Sequence, residues 1–389
     1  MSPYRYLRVH LVLAASSGLL SALLATASAQ EPAAVASRLK SADVEVRRDA
    51  AETLGKQGTT AGEAVPSLIA ALKDEDVRVR ANAAWALGKI QQHPNQTIAA
   101  LVEALRDPDW TVRHNAGLSL KWFGAAAVPA LQKALRSSEP VVQVYAASVL
   151  QQIEPGKPDT IVPTLIHLLD GKDEGITHIA IQILGAVGTP AADAVPKLVP
   201  LLESKNPLLK GSAAFALGEI GPAANPAVSP LVKLTAAGNK SDLRIAAATA
   251  LAKIGGSPEQ WVPAVILMFQ PTHEESVQAA GVRALSKLGQ PAVPFLVAAT
   301  RDAKEGVRGF AVDTLAQIGP GAASAVPAIV DRLGDSHWEV RRGAAHALQQ
   351  IGVANDAVIR ALKAATVDAN EWVQASARKA LEKLSSPQS

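Results

Sequence analysis

Apolar residues recur along this chain with helical spacing, in a pattern that predicts pairs of amphipathic α-helices. In segment 77–90, Val79, Ala83, Leu87 and Ile90 lie three or four residues apart, so they share one face of a helix. Charged and polar residues occupy much of the opposite face. A shorter apolar segment precedes this one, and a polar turn separates the two. The pattern therefore predicts a short first helix and a longer second helix, each with one buried side.

The same helix pair is repeated along the chain. A leucine near the end of the second helix marks each copy and recurs every 30 to 34 residues. These register leucines are Leu54, Leu87, Leu120, Leu150, Leu184, Leu217, Leu251, Leu285, Leu315, Leu348 and Leu381. The predicted repeats span residues 33–58, 64–90, 95–124, 127–154, 161–188, 194–221, 227–255, 259–289, 292–319, 325–352 and 357–385. A helix pair this short cannot bury its own apolar face. Its stability must therefore come from stacking on the neighbouring repeats.

Residues with strong preferences for helix ends mark the boundaries. Proline is expected in the first turn of the first helix, where no N–H is needed. The prolines that fit are Pro66, Pro129, Pro163, Pro196, Pro263, Pro294 and Pro327. The following turn carries N-cap residues for the second helix, and these are Asp43, Asp76, Asp109, Asp173, Asn206 and Asn370. Glycine is expected after the second helix, as at Gly188, Gly221, Gly289, Gly319 and Gly352.

The second helices also carry the motif Val-Arg-x-x-Ala-x-x-x-Leu, at 79–87, 112–120 and 340–348. With the Ala-Val-Pro opening of several first helices, this motif resembles the short HEAT-like repeats first associated with phycobilisome (bilin) lyases, within the armadillo/HEAT superfamily. The resemblance covers Ala33 to Leu384. It implies an all-α fold, a right-handed α-α superhelix (alpha solenoid) of about eleven two-helix repeats. The motifs of tetratricopeptide and ankyrin repeats are absent.

The first 29 residues have the features of an export signal. Arg5 and Arg8 form a basic start, residues 11–24 are apolar, and Ala27-Ser28-Ala29 gives a small-residue cleavage pattern. We expect cleavage after Ala29. The alternative is an uncleaved membrane anchor, since the apolar run approaches the roughly 20 residues that span a bilayer. The remaining chain, 30–389, is predicted to be a single solenoid in the periplasm of a bacterium or outside the cell, with no other membrane segment.

Composition excludes several kinds of site. The chain has no cysteine, so it has no disulfide, thiolate metal ligand or cysteine nucleophile. It carries 38 Lys and Arg against 35 Asp and Glu, and the leader holds two of the bases and none of the acids. The mature chain therefore has a net charge of +1. Charge so evenly balanced predicts no footprint for nucleic acid or for an anionic membrane.

An arginine lies seven residues before the register leucine in six repeats. This arginine ladder consists of Arg47, Arg80, Arg113, Arg244, Arg308 and Arg341. It is either a basic rail for an anionic partner or a set of structural arginines that pair with turn acids such as Asp74 and Asp335. The interspersed acids and bases favour the structural interpretation, which the family resemblance also implies. Gln143, Thr177 and Lys210 interrupt the ladder, which indicates a bend, a looser segment or a specialised surface.

The second helices line the concave side of a helix-pair solenoid, so their outward positions define a candidate binding surface. These positions, six before, two before and two after each register leucine, form what we call the second-helix face. The candidate residues on or beside it are Trp85, Lys89, His114, Leu118, Trp122, Tyr145, His178 and Phe215. Exposed aromatic residues are typical of protein or peptide recognition. The alternative is that the rings pack over the next repeat and complete the core. We expect Trp110, Trp338 and Trp372 to pack the corner before the second helix.

The sequence contains no motif that identifies an enzyme. A nucleotide-binding loop, His-Glu-x-x-His and Gly-x-Ser-x-Gly are all missing. Deoxyhypusine hydroxylase, a HEAT-repeat enzyme, holds two irons with a set of His-Glu pairs, whereas this chain has one, His273-Glu274. Bilin lyases leave no attachment motif here, and export fits poorly with pigment assembly in a cytoplasm. We therefore predict a monomeric, non-enzymatic binding or scaffold protein without metal or cofactor, whose partner is a protein or peptide.

Overall fold

The computed structural model describes residues 31–270 and 274–385. The predicted export signal, residues 1–29, and His273 lie outside these residues. Across the two described ranges the chain forms α-helices joined by turns and short 3₁₀ segments, without a β-strand. None of the helices found there has the length and apolarity to cross a bilayer. The predicted all-α solenoid class is confirmed.

The chain divides into two compact units, one ending at Lys157 and one beginning at Pro158. The helices described in the first unit are α1 (Pro32–Arg38), α2 (Val44–Gln57), α3 (Val65–Ala71), α4 (Val77–Ile90), α5 (Pro94–Ala104), α6 (Trp110–Phe123), α7 (Val128–Ala134) and α8 (Pro140–Ile153). Each odd-numbered helix is the first of a repeat and each even-numbered helix is the second.

The second unit continues the same alternation. Its described helices are α9 (Val162–Leu168), α10 (Glu174–Val187), α11 (Val195–Leu201), α12 (Pro207–Ile220), α13 (Val228–Leu234), α14 (Ser241–Ile254), α15 (Pro258–Ile266), α16 (Glu275–Leu288), α17 (Val293–Ala299), α18 (Glu305–Ile318), α19 (Val326–Arg332), α20 (Trp338–Ile351), α21 (Asp356–Ala365) and α22 (Glu371–Ser385). That residues 30–389 form a single solenoid domain stays a prediction.

Within each unit, second helices of consecutive repeats contact one another over much of their length, whereas first helices make fewer contacts with each other. Small residues permit this close approach: Ala84 and Ala345, three positions before their register leucines, are fully buried. The register leucines form the core beneath them. All are buried except Leu381, which is half-buried because it belongs to the last repeat of the second unit. The core is therefore built between repeats.

The predicted N-caps are confirmed. Each accepts a hydrogen bond from a backbone N–H in the first turn of its second helix. Glycine is confirmed at the opposite end, where Gly188 and Gly319 have φ of 72° and 67°. This left-handed backbone is strained for residues that carry a Cβ. The sequence therefore predicted the residue types that begin and end the second helices.

One predicted boundary is wrong. Pro263 lies inside α15 and not in its first turn, because this helix already begins at Pro258. A proline at the first helical position has a suitable φ and needs no hydrogen-bond partner for its nitrogen. Pro258 therefore starts the helix earlier than in the other repeats.

Candidate protein-binding face

The second-helix face is open to solvent over most of its length in each unit. In the row two residues before the register leucine, Gln182, Phe215 and Thr249 are exposed, and Trp85 and Leu118 are half-buried. Not every position is accessible. Ala81 and Val144, six residues before their register leucines, are buried, so the prediction that the whole row faces outward is wrong there. Their small side chains let a neighbouring second helix cover them.

Two tryptophans and a lysine form the densest cluster on this face, in the first unit. The Lys89 Nζ lies 5.7 Å from the centre of the Trp85 ring and 4.5 Å from that of Trp122. Each ring also rests on a glycine of the preceding repeat: a Cβ on Gly55 would overlap the Trp85 ring, and one on Gly88 would lie 2.7 Å from the Trp122 Cε3. The rings therefore pack on the preceding repeat, whereas the alternative interpretation of the sequence had them pack over the next.

The other candidates in the first unit lie on or beside the same face. His114 is exposed, and its ring centre lies 6.1 Å from that of the exposed Trp110. The Arg113 guanidinium lies 5.3 Å from the centre of the half-buried Tyr145 ring. Leu118 is half-buried. Flat rings with cationic edges can hold apolar and anionic groups of a partner together.

Two candidates belong to the second unit. Phe215 is 52% exposed, and a Cβ on Gly185 would lie 3.2 Å from its Cε1, so this ring also rests on a glycine. The Lys253 Nζ lies 5.7 Å from the centre of the Phe215 ring. The half-buried His178 shares a hydrogen bond of 2.9 Å between its Nδ1 and the Oγ of Ser212 in the next repeat. Phe215, Leu208 and Leu243 border an open groove of about 660 Å³.

The arginine ladder ties consecutive repeats together. Arg80 Nε donates to Asp107 over 2.7 Å, and its Nη2 donates to the other oxygen of the same carboxylate over 3.0 Å. The ladder pairs with this two-pronged geometry are Arg47–Asp74, Arg80–Asp107, Arg308–Asp335 and Arg341–Asp368. In each, the carboxylate comes from the next repeat. Arg244 instead pairs with Glu274. These contacts leave the guanidinium groups partly or fully buried.

The Arg308–Asp335 and Arg341–Asp368 ion pairs shift the pKa of both partners. Hydrogen bonds from Arg341 lower the pKa of Asp368 and outweigh the effect of burial. For Asp335, burial acts to raise the pKa, but hydrogen bonds from Arg308 and from the His337 amide prevail and lower it. The Asp335 hydrogen bond in turn raises the pKa of Arg308. In these two pairs the charged forms of both partners are therefore favoured.

Arg113 is the member of the ladder without a carboxylate partner in the described structure. Its Nη1 donates to the carbonyl oxygens of Asp107 and Pro108, and its buried Nε has no hydrogen-bond partner. The turn position that holds aspartate in the paired repeats is Ser137 in the next repeat. The following positions of the ladder, Gln143 and Thr177, are not arginines at all. The interruption of the arginine ladder therefore begins at Ser137, where the turn aspartate that would pair with Arg113 is replaced.

The tryptophans near the helix starts do not behave as the sequence predicted. Trp110 and Trp372 are 63% and 59% exposed, so they do not pack the corner. Trp110 is the first residue of α6, and Trp372 is the second residue of α22. Trp338 is half-buried, with the Arg342 guanidinium 5.4 Å from its ring centre. Trp261 was overlooked in the sequence and is fully buried.

The residues that sequence reasoning missed are the glycines beneath the rings. Gly55, Gly88 and Gly185 each directly follow a register leucine. A glycine inside a helix is unfavourable by roughly 1 kcal/mol relative to alanine, so its recurrence at one register position indicates a packing role. That signal was present in the sequence. The described parts of the chain contain no group of three or more histidines, aspartates or glutamates placed to hold a metal ion.

The comparisons with known proteins agree with the fold. No curated protein matches the sequence. Among solved structures, Kap121p is similar at a TM-score of 0.63 and 16% identity, over 90% of this chain and 44% of that chain. Importin beta is similar at 0.57 and 14% identity, over 91% and 55%, and Kap95p at 0.54 and 14%, over 99% and 60%. The chain thus spans about half the length of these proteins.

The family is shown by the sequence itself. The profile of HEAT repeats matches residues 32–121, 98–165, 127–218, 162–252, 228–311 and 293–382. These overlapping matches run through both compact units. The paired helices, the buried register leucines and the inter-repeat contacts follow the same segments. The chain belongs to the HEAT-repeat family.

Proposed function

We propose that this chain is an exported, non-enzymatic binding or scaffold protein that presents a concave second-helix face to a protein or peptide partner. The observation that carries this proposal is the cluster of Trp85, Lys89 and Trp122 on the first unit. Two half-exposed rings with a lysine between them offer a large contact area with little side-chain freedom to lose. Such rings are common anchors in protein interfaces.

Proteins of similar fold support a role in partner binding. Kap121p has been solved bound to the SUMO protease Ulp1p and bound to Ste12p. Those solenoids hold other proteins. For this chain we infer the same kind of role, with a partner that combines apolar side chains, for the rings, with carboxylates, for Lys89 and Arg113.

Two finer features belong to the proposal. The basic start, apolar run and Ala27-Ser28-Ala29 pattern support export, with Gln30 as the first residue of the mature protein. N-terminal sequencing of the protein recovered from the periplasm of an expressing bacterium tests this, and a chain retained in the membrane with Met1 intact contradicts it. The Val-Arg-x-x-Ala-x-x-x-Leu motif supports repeats of the short phycobilisome-lyase type.

The binding role is tested with the double variant Trp85→Ala/Trp122→Ala. The tagged wild-type protein is incubated with the periplasmic or secreted fraction of its host, and captured proteins are identified. We expect the specific partner to lose at least about tenfold in capture with the double variant, since truncation of an interface anchor costs about 2 kcal/mol or more. Trp372→Ala, which removes an equally large exposed ring elsewhere, serves as the control.

The outcomes separate the alternatives. A partner retained equally by wild type and double variant contradicts the role of this cluster. Loss of capture with Trp372→Ala as well indicates a non-specific loss of apolar surface. Bound iron in the purified wild-type protein, together with turnover of a substrate, favours an enzyme over a scaffold.

A further inference from the structure

The second-helix face changes character in the last four repeats of the second unit. From α16 to α22 it carries five exposed bases, Arg283, Lys287, Arg342, Lys379 and Lys383, and one acid, Asp313. We call these five bases the basic surface. The second helices that carry it contact one another in succession. Helices packed at about 8–10 Å spacing place the bases over roughly 24–30 Å.

Elsewhere on the face, three of the four bases pair with neighbouring acids, and the fourth, Lys89, lies between two tryptophan rings. Lys56 pairs with Glu52, Lys253 with Glu219, and Arg48 with Asp76. The five bases of the basic surface form no such ion pair with any residue in the described ranges. Arg342 has Trp338 as its ring partner. Arg342 lies close enough to Asp313 for the two charges to interact, so the other four bases are the cationic groups left without an acidic partner among the described residues.

The arrangement also has a local cost. Arg283 and Lys287 are four residues apart on α16, and Lys379 and Lys383 are four apart on α22. Like charges at this spacing repel each other and weaken the helix. An acid at one of each pair would remove that repulsion, as Glu52 does beside Lys56. The repeated like-charge pairs point to a role outside the fold.

We propose that the basic surface binds an acidic, extended segment of a polypeptide. Its span corresponds to about seven to nine residues of extended chain at roughly 3.3 Å each. Acids at the starts of the same helices, Glu275, Glu305 and Glu339, border the surface, and Asp313 lies within it. A continuous phosphate backbone would meet these carboxylates, whereas a peptide can place its own acids only opposite the bases. This surface belongs to the second unit and the Trp85 cluster to the first, so the inference goes beyond the proposed function.

The test is fluorescence anisotropy of a labelled peptide of about 12 residues rich in glutamate, with a glutamine version as the ligand control. The variant Arg283→Gln/Lys287→Gln/Lys379→Gln/Lys383→Gln removes four bases of the surface. The matched control Lys205→Gln/Arg301→Gln/Arg360→Gln/Lys363→Gln removes four exposed bases from turns and first helices of the same unit. We expect the first variant to weaken binding by about tenfold or more and the control by about twofold or less.

Further measurements make the result decisive. Affinity of the wild type should fall between about 50 and 200 mM salt, because exposed charges are screened. The charge-conserving variant Arg283→Lys/Lys287→Arg/Lys379→Arg/Lys383→Arg should bind as the wild type does. The variant Trp85→Ala/Trp122→Ala should also keep its affinity for the acidic peptide. A failure of the acidic-peptide proposal can therefore be distinguished from a failure of the proposed function. No binding by the wild type, equal loss in both glutamine variants, or tighter binding of a single-stranded oligonucleotide than of the peptide would overturn the proposal.

Discussion

At the residue scale, one turn position decides whether neighbouring repeats are joined by an ion pair. The side chain thirteen residues before the register leucine accepts a hydrogen bond from the amide two residues later, and Asp335, Ser137 and Ser204 all do so. Aspartate has a second oxygen, which accepts from the arginine of the preceding repeat, as Asp335 does from Arg308. Serine closes the turn and leaves that arginine without a carboxylate.

The substitution Ser137→Asp should therefore stabilise the protein. The new carboxylate keeps the turn hydrogen bond and gives Arg113 the partner that its counterparts have. Because the pair is only partly buried, we expect a gain of about 1 kcal/mol in the free energy of unfolding, measured by urea denaturation. Ser204→Asp is the matched control, since Thr177 stands in the arginine position there. No gain with Ser137→Asp, or an equal gain in an Arg113→Gln background, would contradict the pairing.

The glycines beneath the aromatic rings give a second prediction at this scale. In Gly55→Ala, the added methyl group overlaps the Trp85 ring and approaches the Cα of Ala86 at 3.1 Å. We expect a loss of about 1–3 kcal/mol in stability and a shift in tryptophan fluorescence as the ring moves. In Gly309→Ala, the nearest atom is 4.0 Å away, so the variant should gain roughly 0.5–1 kcal/mol from helix propensity. A change of the same sign in both variants would contradict the packing of the aromatic rings on these glycines.

At the element scale, the helices and their ends follow from short-range chemistry. Asp76 closes the start of α4 through hydrogen bonds within one turn, so its role was predictable from the sequence. Pro263 was assigned wrongly because Pro258, five residues earlier, also suits a helix start. The exposure of Trp110 was not predictable, since it depends on which groups of other helices reach the start of α6. Short-range sequence preferences thus predicted where the helices begin and end better than they predicted which side chains are exposed.

The close contact between second helices makes a bulky residue costly. Ala84 is fully buried, where α4 meets its neighbours. Ala84→Trp should destabilise the protein by about 3 kcal/mol, toward the upper end for overpacked cores, because the helices must separate. Thermal unfolding followed by circular dichroism measures the effect. Lys121→Trp introduces the same side chain at an exposed position of α6 and should change stability little; similar losses in both variants would speak against this helix contact.

At the scale of the whole molecule, the nearly balanced charge conceals a local excess. The 38 bases and 35 acids are nearly balanced, and this balance predicted no footprint for nucleic acid or for an anionic membrane. Yet the basic surface gathers five bases on four helices, while acids such as Glu275 and Glu339 lie at the helix starts. Acids near a helix N-terminus are favourable because they oppose its dipole. The fold therefore places bases on the second-helix face and acids at the helix starts, a separation that the net charge does not show.

The ladder also predicts how the stability of the protein depends on pH. The folded-state pKa of Asp335 and of Asp368 is lowered, so their contribution is present above the unfolded pKa of about 3.9 and is lost as pH falls toward the folded pKa. We expect the free energy of unfolding to decline below about pH 5. Asp335→Asn/Asp368→Asn should be less stable at pH 7 and should show a shallower decline in acid. Asp331→Asn is the control, and an unchanged slope in the double variant contradicts this linkage.

The sequence by itself determined the repeated helix pair, the ends of most helices and the residues of the core. These depend on groups within one turn, or on a leucine that recurs at a nearly constant interval. Tertiary structure alone decided that Trp85 rests on Gly55, that Arg113 meets no carboxylate among the described residues, and that the bases of the basic surface are exposed there without ion pairs. The physical reason is that the surroundings of each side chain in this fold come from the adjacent repeat, about thirty residues away in the chain.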